Sequence, residues 1–267
     1  MRGRLRLVGL LTLVLLVPAA CGGNDGDAAS TTTTTAAPAT TTTTSSTTTT
    51  APTTTVAPPS TTAGTTTTHT TSAPPSTAPA PAYRSRISTV TAQDLYASWR
   101  AGCPVPVEQL RAIDLSFWGY DGTVHTGRII VSAAESSHVA AIFGDLYRDR
   151  FPIEKMVPID AYGGDDNRSI EANNTSGFNC RKATGGSSWS EHAYGQAIDV
   201  NPFVNPYVKG STVLPPEAAP YADRSRRDPG MIHAGDATVR AFAARGWKWG
   251  GSWSSLKDYQ HFSPSGR

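Results

Sequence analysis

Two short stretches of the sequence combine histidine with carboxylates at spacings that suit a metal site. The first, WSEHAYGQAIDVNP, holds His192 and Asp199 seven positions apart. The second, KDYQHF, holds Asp258 and His261 three positions apart. A catalytic zinc site needs three protein ligands plus an open position, and zinc accepts both imidazole nitrogen and carboxylate oxygen. His192, Asp199 and His261 would supply three ligands. Asp258 would then be a spare carboxylate near the metal, suited to proton transfer.

These residues by themselves also allow a simpler interpretation. A buried hydrogen bond between His192 and Asp199, with His261 merely ending a strand, fits the same spacing. The neighbouring elements favour neither interpretation. Residues 197–200 are predicted to form a short strand with Asp199 facing away from Ile198 and Val200, and a terminal strand is expected around His261.

The rest of the globular part predicts an α+β fold, a single compact domain with a small antiparallel sheet carrying the zinc site. Strands and helices interleave without a regular βαβ repeat. Strands are predicted over 110–118, 126–131 and 151–159, the first two joined by a turn at YDG. Helices are predicted from Thr91 to about Gly102, from a capping box at Ser132 and Glu135 to about residue 150, and over 236–244. Residues 161–190 are expected to form a long ordered loop.

The N-terminal part predicts export to the cell envelope. Arg2, Arg4 and Arg6 accompany an apolar run that is too short to span a membrane, and Ala19 and Ala20 lead into Cys21. We therefore interpret residues 1–20 as a signal peptide of the lipoprotein type, with Cys21 lipidated and attached to the membrane. Plain secretion after cleavage near Ala20 is the alternative.

Composition separates a linker from the folded part. Residues 21–83 are rich in Thr, Ala, Pro and Ser, and no charged residue occurs between 28 and 82. Such a segment buries too little apolar area to fold, so we expect a disordered, stalk-like linker ahead of one domain over 84–267. Removing residues 1–20 changes the formal charge from +2 to −1. No basic patch remains to predict nucleic-acid binding.

Cysteine usage agrees with an exported protein. If Cys21 is lipidated or lost, Cys103 and Cys180 remain as a pair, and we predict a disulfide between them. In the chain-entropy description, a loop of that length contributes about 4 kcal/mol to stability. Zinc ligation by cysteine is the weaker alternative, because two isolated cysteines lack the spacing of such sites.

The paired motifs resemble those of a known family. SEHAYGQAIDVNP is similar to the S-x-H-x-x-G-x-A-x-D motif of VanY-type D-alanyl-D-alanine carboxypeptidases, zinc peptidase family M15, and DYQHF resembles that family's second motif. NNTSGFNCR, NPFVNPYV and GWKWGGSW add to the likeness, which spans roughly residues 100–264. The resemblance implies one Zn²⁺ ion held by His192, Asp199 and His261.

The resemblance also assigns the remaining roles. It makes Asp258 the catalytic base, where many relatives have glutamate and the L-alanyl-D-glutamate peptidases often have aspartate. It implies an arginine that polarises the scissile carbonyl or holds the substrate carboxylate, for which Arg181 is the candidate and Arg168 the rival. Ser190 and Tyr194 are either supporting contacts or ordinary packing and capping residues. The tryptophans either line a substrate groove or pack in the core: Trp247, Trp249 and Trp253.

Taken together, the sequence predicts a monomeric, exported zinc metallopeptidase that acts on the stem peptides of peptidoglycan, first of all as a D-Ala-D-Ala carboxypeptidase. Two alternatives share the fold: an endopeptidase of the L-alanyl-D-glutamate type and a non-catalytic zinc-binding cell-wall module. A structural lipoprotein without zinc is a third.

Overall fold

The computed structural model describes residues 81–267. The predicted signal peptide, the lipidation site Cys21 and residues 21–80 of the predicted linker lie outside the described residues. Within residues 81–267, none of the helices is long and apolar enough to cross a membrane.

The largest sheet is antiparallel and has the strand order β1–β2–β3. Its strands are β1 (Ser85–Thr89), β2 (Leu110–Trp118) and β3 (Val124–Ser132). The hairpin predicted around YDG is therefore confirmed, and β1 is a strand that the sequence pattern did not reveal. Alternation along β2 places Ile113, Leu115 and Phe117 in one hydrophobic cluster and Leu110 and Ala112 in another, so this strand is buried on both faces.

Two smaller antiparallel sheets complete the α+β fold and confirm the predicted class. The first has the order β4–β9–β7 and the second β6–β5–β8. Their strands are β4 (Ile198–Asp199), β5 (Tyr207–Lys209), β6 (Thr212–Leu214), β7 (Lys248–Trp249), β8 (Lys257–Asp258) and β9 (His261–Ser263).

The α-helices of the described residues are α1 (Ser136–Arg148), α2 (Asp166–Glu171) and α3 (Ala237–Ala243). Short 3-10 segments connect the elements: Val107–Gln109, Ile159–Tyr162, Glu191–Tyr194, Pro216–Ala222 and Gly250–Ser252. Helix α3 lies where the sequence predicted a helix. Helix α1 buries its predicted stripe against the main sheet: Val139, Ile142, Phe143 and Leu146.

The predicted capping box at the start of α1 is wrong. The helix is preceded by Glu135, whose side chain makes no capping hydrogen bond. Ser132 is instead the last residue of β3, and its backbone N–H donates to the carbonyl of Gly195 at 2.8 Å. Because Ser132 is held in the strand, its hydroxyl does not reach the helix N-terminus.

The helix predicted from Thr91 is also wrong, since residues 92–98 form turns. The buried carboxylate of Asp160 accepts hydrogen bonds from the backbone N–H groups of Ala97 and Ser98 at 2.8 and 3.0 Å, and from the Ser98 hydroxyl at 2.7 Å. Those N–H groups are therefore not available to form an α-helical ladder.

Two further predictions need correction. Residues 151–159 form isolated bridges through Pro152 and Lys155 rather than a strand, because Pro152 and Pro158 have no N–H to donate to a ladder. The predicted loop over 161–190 contains helix α2, whose N-terminus is capped by the Asp165 side chain.

Candidate metal centre

His192 lies in the 3-10 turn Glu191–Tyr194, whose two ends are set by Ser190 and Gly195. Ser190 caps the turn, its hydroxyl accepting the backbone N–H of His192 at 3.3 Å. Gly195 ends it with a φ of +64°, a left-handed conformation that favours glycine. A side chain at Gly195 would also approach the Ser132 backbone nitrogen to 2.6 Å. This turn therefore presses against the end of β3 and directs His192 inward.

Asp199 and His261 are held by strand register. They are directly opposite each other in the β4–β9 pair, and the next pair in the ladder is Ile198 with Phe262. Because side chains alternate along a strand, the apolar pair enters the core while the polar pair faces the site. Asp199 is 4% exposed and His261 5% exposed, so both are shielded from water.

The three side chains converge on one point. The distance from His192 Nε2 to Asp199 Oδ2 is 3.2 Å, and from His261 Nδ1 to Asp199 Oδ1 it is also 3.2 Å. His192 Nε2 and His261 Nδ1 are 3.3 Å apart. Tetrahedral zinc with bonds of about 2.0–2.1 Å places its donor atoms roughly 3.3–3.4 Å apart. The spacing of the three donors thus fits a zinc ion.

The hydrogen bonds of the outer ring nitrogens support the same conclusion. His192 Nδ1 donates to the Gly177 carbonyl at 2.6 Å, and His261 Nε2 donates to the Arg267 backbone oxygen at 2.7 Å. With their protons on those nitrogens, two neutral imidazoles turn lone pairs toward each other and toward a carboxylate. A cation held between them would satisfy all three groups, and fixing the tautomer through the outer nitrogen is what metal-binding histidines commonly do.

The electrostatics of the cluster follow from burial and proximity. Burial alone would raise the pKa of Asp199, but His192 and His261 outweigh it and hold this pKa well below its usual range. Burial alone would lower the pKa of His261, but the hydrogen bond and charge of Asp199 raise it. The cluster therefore keeps Asp199 ionised, as a metal ligand must be.

Asp258 lies beside this cluster on β8 and differs from Asp199 in its environment. Burial raises the pKa of Asp258 to about 6; the charge of Asp199 adds to the increase and His261 opposes it. Gly250 packs closely against it, since a Cβ there would lie 2.5 Å from the Asp258 carbonyl and 3.3 Å from the Cβ of His261. The glycine lets the segment after β7 approach both side chains.

A cleft of about 800 Å³ opens onto these residues. His192, Asp199, Asp258 and His261 all line it. Its walls are largely apolar and include Ile170, Trp189, Leu214, Pro215, Trp253 and Leu256. A concave apolar site with a few convergent polar groups is typical of a substrate-binding site.

The two candidate arginines are placed differently. Arg181 lines the cleft, and its guanidinium pairs with Asp166 at 2.9 Å. Its Nε is buried without a hydrogen-bond partner among the described residues. Arg168 does not line the cleft; it is exposed and its guanidinium reaches the Tyr162 carbonyl at 3.5 Å. The structure therefore brings Arg181, and not Arg168, to the site.

The predicted disulfide is present. Cys103 and Cys180 are bonded, and they join residues 77 positions apart. Cys180 is fully buried and directly precedes Arg181, and its carbonyl accepts a hydrogen bond from Arg100 at 2.9 Å. The disulfide therefore fixes the wall of the cleft from which Arg181 projects.

The remaining candidates divide between the site and the core. Ser190 caps the turn of His192, while Tyr194 does not line the cleft.

The three candidate tryptophans differ in position. Trp247 and Trp249 are buried in the core. Of the three, Trp253 alone lines the cleft, with its ring 5.5 Å from that of His261. The groove interpretation thus fits only Trp253.

Sequence reasoning overlooked two residues of the site. Asp166 holds Arg181, and Gln260 donates to Asp258 at 3.1 Å. Gln260 lies between Asp258 and His261 in the second motif, so its position in that motif could have identified it. Asp166 had no such signal, because it approaches Arg181 only through the folding of α2.

One comparison with known proteins bears on this site. The M15 family model described as D-alanyl-D-alanine carboxypeptidase matches residues 184–264, which confirms the resemblance found in the motifs. The match includes His192, Asp199, Asp258 and His261, but it begins after Arg181. No curated protein and no solved structure gives a significant match. The family match supports a peptidase that acts on cell-wall substrates of the D-Ala-D-Ala type.

Proposed function

From that family match, we propose that the domain is a zinc-dependent peptidase that hydrolyses peptide bonds in peptidoglycan stem peptides. The terminal D-Ala-D-Ala bond is the proposed first substrate. The observation that carries the proposal is the separation of 3.2–3.3 Å between three buried donor atoms, next to a fourth group, Asp258, in the same cleft.

His192, Asp199 and His261 would hold one Zn²⁺ ion. When bound, zinc polarises a carbonyl and lowers the pKa of a bound water to about 7. The protein's share is to keep Asp199 ionised and to orient both imidazoles. Gly177 and Arg267 orient the histidines by accepting their outer N–H groups, which leaves the inner nitrogens facing the site.

Asp258 is the proposed general base. It accepts a proton from the attacking water and passes it to the leaving amine as the bond breaks. A base of pKa near 6 combines a substantial ionised fraction at neutral pH with useful proton affinity. Burial supplies that increase in the pKa of Asp258.

Arg181 is proposed to stabilise the negative charge that develops on the carbonyl oxygen. A guanidinium fixed by the protein donates without reorganising during the reaction. Its contact with Asp166 and the neighbouring disulfide provide that rigidity.

An endopeptidase of the L-alanyl-D-glutamate type is the second candidate. Asp258, rather than glutamate, stands at the base position, as is frequent in that branch of the family. In addition, Asp166 already neutralises Arg181, so a free substrate carboxylate would have to compete with Asp166 for that cation. This observation is the reason to keep cleavage of an internal bond as the second candidate.

The proposed setting is the cell envelope, with residues 1–20 removed, Cys21 lipidated, 21–83 a flexible linker and 84–267 the peptidase domain. The anchor would attach a monomeric enzyme to the membrane and the linker would let it reach the wall. Membrane fractionation of the wild type and of Cys21→Ser tests this. Equal release of both into the soluble fraction would contradict lipidation.

The deciding experiment is a digest read by mass spectrometry. The mature protein is incubated with a muramyl pentapeptide and with stem peptides that carry the L-Ala-D-Glu bond, with and without a chelator. We expect one zinc per chain and loss of one D-alanine from the pentapeptide. Asp258→Ala should keep its zinc and release no product.

The alternatives give different results. Cleavage within the stem would identify the endopeptidase. Bound zinc without any cleavage, in wild type and variant alike, would indicate a binding module. A protein that binds no zinc would contradict the proposed dependence on a metal ion.

A further inference from the structure

Gln260 is one of the two residues between the proposed base and the last proposed zinc ligand, and it contacts the base directly. Its Nε2 donates a hydrogen bond to Asp258 Oδ1 at 3.1 Å. Gln260 is 5% exposed and lines the same cleft as Asp258. A glutamine this buried is uncommon unless its polar atoms are used.

The orientation of the Gln260 amide is determined by Asp258. An ionised carboxylate can only accept hydrogen bonds, so the amide must turn its NH₂ group, and not its oxygen, toward Asp258. That orientation leaves Oε1 buried without a partner among the described residues. An unsatisfied buried acceptor destabilises the fold. The hydrogen bond from Nε2 to Asp258 is therefore made at the cost of leaving Oε1 unpaired.

The backbone of Gln260 is equally fixed. Its carbonyl accepts the N–H of Val200 at 3.0 Å, directly after Asp199 on β4. The side chain thus extends from a point tied to the strand that carries one proposed ligand. It reaches the carboxylate of Asp258, whose own strand, β8, pairs with β5 in a different sheet.

We propose that Gln260 is a positioning residue for the reaction. By donating to Oδ1 it fixes the rotation of the Asp258 carboxylate and reserves Oδ2 for proton transfer. In this role the amide acts through Asp258: Nε2 donates to Oδ1, and Oε1 is enclosed. This inference rests on the proposed function of Asp258 as the base.

The test uses two variants of the full mature protein. Gln260→Met keeps the length and volume of the side chain but cannot donate, and Gln260→Asn keeps the amide but is one carbon too short to reach. Tyr259→Phe, the adjacent residue, is the matched control. Steady-state kinetics on the stem peptide that the wild type cleaves, zinc content and Tm are measured for all four proteins.

We expect kcat to fall about 10- to 100-fold in both Gln260 variants, a part of what a positioned base contributes. KM and zinc content should stay within about twofold of the wild type, as should all values for the control. A role limited to packing would change Tm or zinc content instead of kcat.

Two outcomes would overturn the inference. One is a kcat within about twofold of the wild type in either folded variant. The other is a loss of kcat that is matched by a loss of zinc. If Gln260→Met does not fold, Gln260→Asn decides by the same criteria. A wild type without activity on any stem peptide would refute the proposed function, which is a distinct result from an active wild type with an unaffected Gln260 variant.

Discussion

Asp199 and Asp258 show how environment separates two carboxylates of one site. The two histidines around Asp199 hold its pKa far below the usual range, while burial raises that of Asp258 to about 6. Pairs of titratable groups whose pKa values are pushed apart are typical of sites that divide ligand and acid–base roles. The separation supports the proposed assignment of Asp199 as ligand and Asp258 as base.

The expected pH dependence of the reaction follows from the raised pKa of Asp258. Asp258 must be ionised to accept a proton, so kcat/KM should fall as pH drops through its pKa. We expect this acidic limb at about pH 6 or below. A bound cation would favour the ionised form of Asp258 and so bring its pKa below the value that burial sets. Rates between pH 4.5 and 8, with zinc content measured at each pH, provide the check. An acidic limb well above pH 6 with zinc still bound would contradict the role of Asp258.

The two arginines offer a matched comparison. Arg181→Ala should reduce kcat/KM about 100-fold, the usual effect of removing a group that stabilises an oxyanion. Arg168→Ala should stay within about twofold, because Arg168 is exposed and lies outside the cleft. Kinetics of the two variants side by side decide the assignment. Equal losses in both would mean that Arg181 acts through the fold rather than on the substrate.

At the scale of elements, short strands position the site. The β4 and β9 strands are only two and three residues long, yet their register places Asp199 opposite His261. The stacked rings of Phe262 and Phe242, with centroids 3.8 Å apart, attach β9 to helix α3. A shift of one residue would turn Phe262 toward the cleft and His261 into the core, so packing enforces the register.

Gly250 tests how closely these elements must approach. Gly250→Ala places a Cβ 2.5 Å from the Asp258 carbonyl, a backbone atom that cannot move without displacing β8. Such overpacking costs about 1–3 kcal/mol. We expect a Tm lower by several degrees and a kcat reduced at least about tenfold. Calorimetry and stem-peptide kinetics measure both.

Gly186→Ala is the control for that substitution. The nearest atoms to its added Cβ are 3.6 and 3.8 Å away, which is ordinary van der Waals contact. This variant should match the wild type in both measurements. If Gly250→Ala also matches the wild type, the tight approach between Gly250 and Asp258 is not needed for the site.

At the scale of the whole described domain, two hydrophobic clusters flank the main sheet. One contains α1, α3 and the strands of the site, and the other contains Leu95, Leu110, Phe178 and Cys180. The disulfide is part of the second cluster and lies next to Arg181. Stability and the geometry of the cleft wall are therefore linked through Cys180.

Removing the disulfide should affect both properties. The double variant Cys103→Ser/Cys180→Ser should lose about 2–5 kcal/mol of unfolding free energy, because the unfolded chain gains freedom over a long loop. We also expect lower kcat/KM, as Arg181 is no longer fixed. Urea unfolding monitored by fluorescence, together with kinetics, measures the two effects. An unchanged urea midpoint would show that the disulfide adds no stability.

The sequence was sufficient for structural features that depend on residue type and local spacing: the cysteine pair, the β2–β3 hairpin and helix α3. The same patterns singled out the candidate ligands and Asp258, whose side chains line one cleft. The sequence failed where a distant residue changed the local outcome. Asp160 occupies backbone N–H groups of a segment that otherwise favours a helix, and the position of Ser132 in β3 removes a capping box.

Within the site, the sequence by itself determined which side chains are candidates to bind a metal, because residue type fixes which atoms can act as ligands. Only the tertiary structure decided how they are held. The tautomers of His192 and His261 depend on the backbone oxygens of Gly177 and Arg267, and the Asp258 carboxylate accepts a hydrogen bond from Gln260. Hydrogen bonds have a short reach and a required direction, so they are fixed only after packing has brought the partners together.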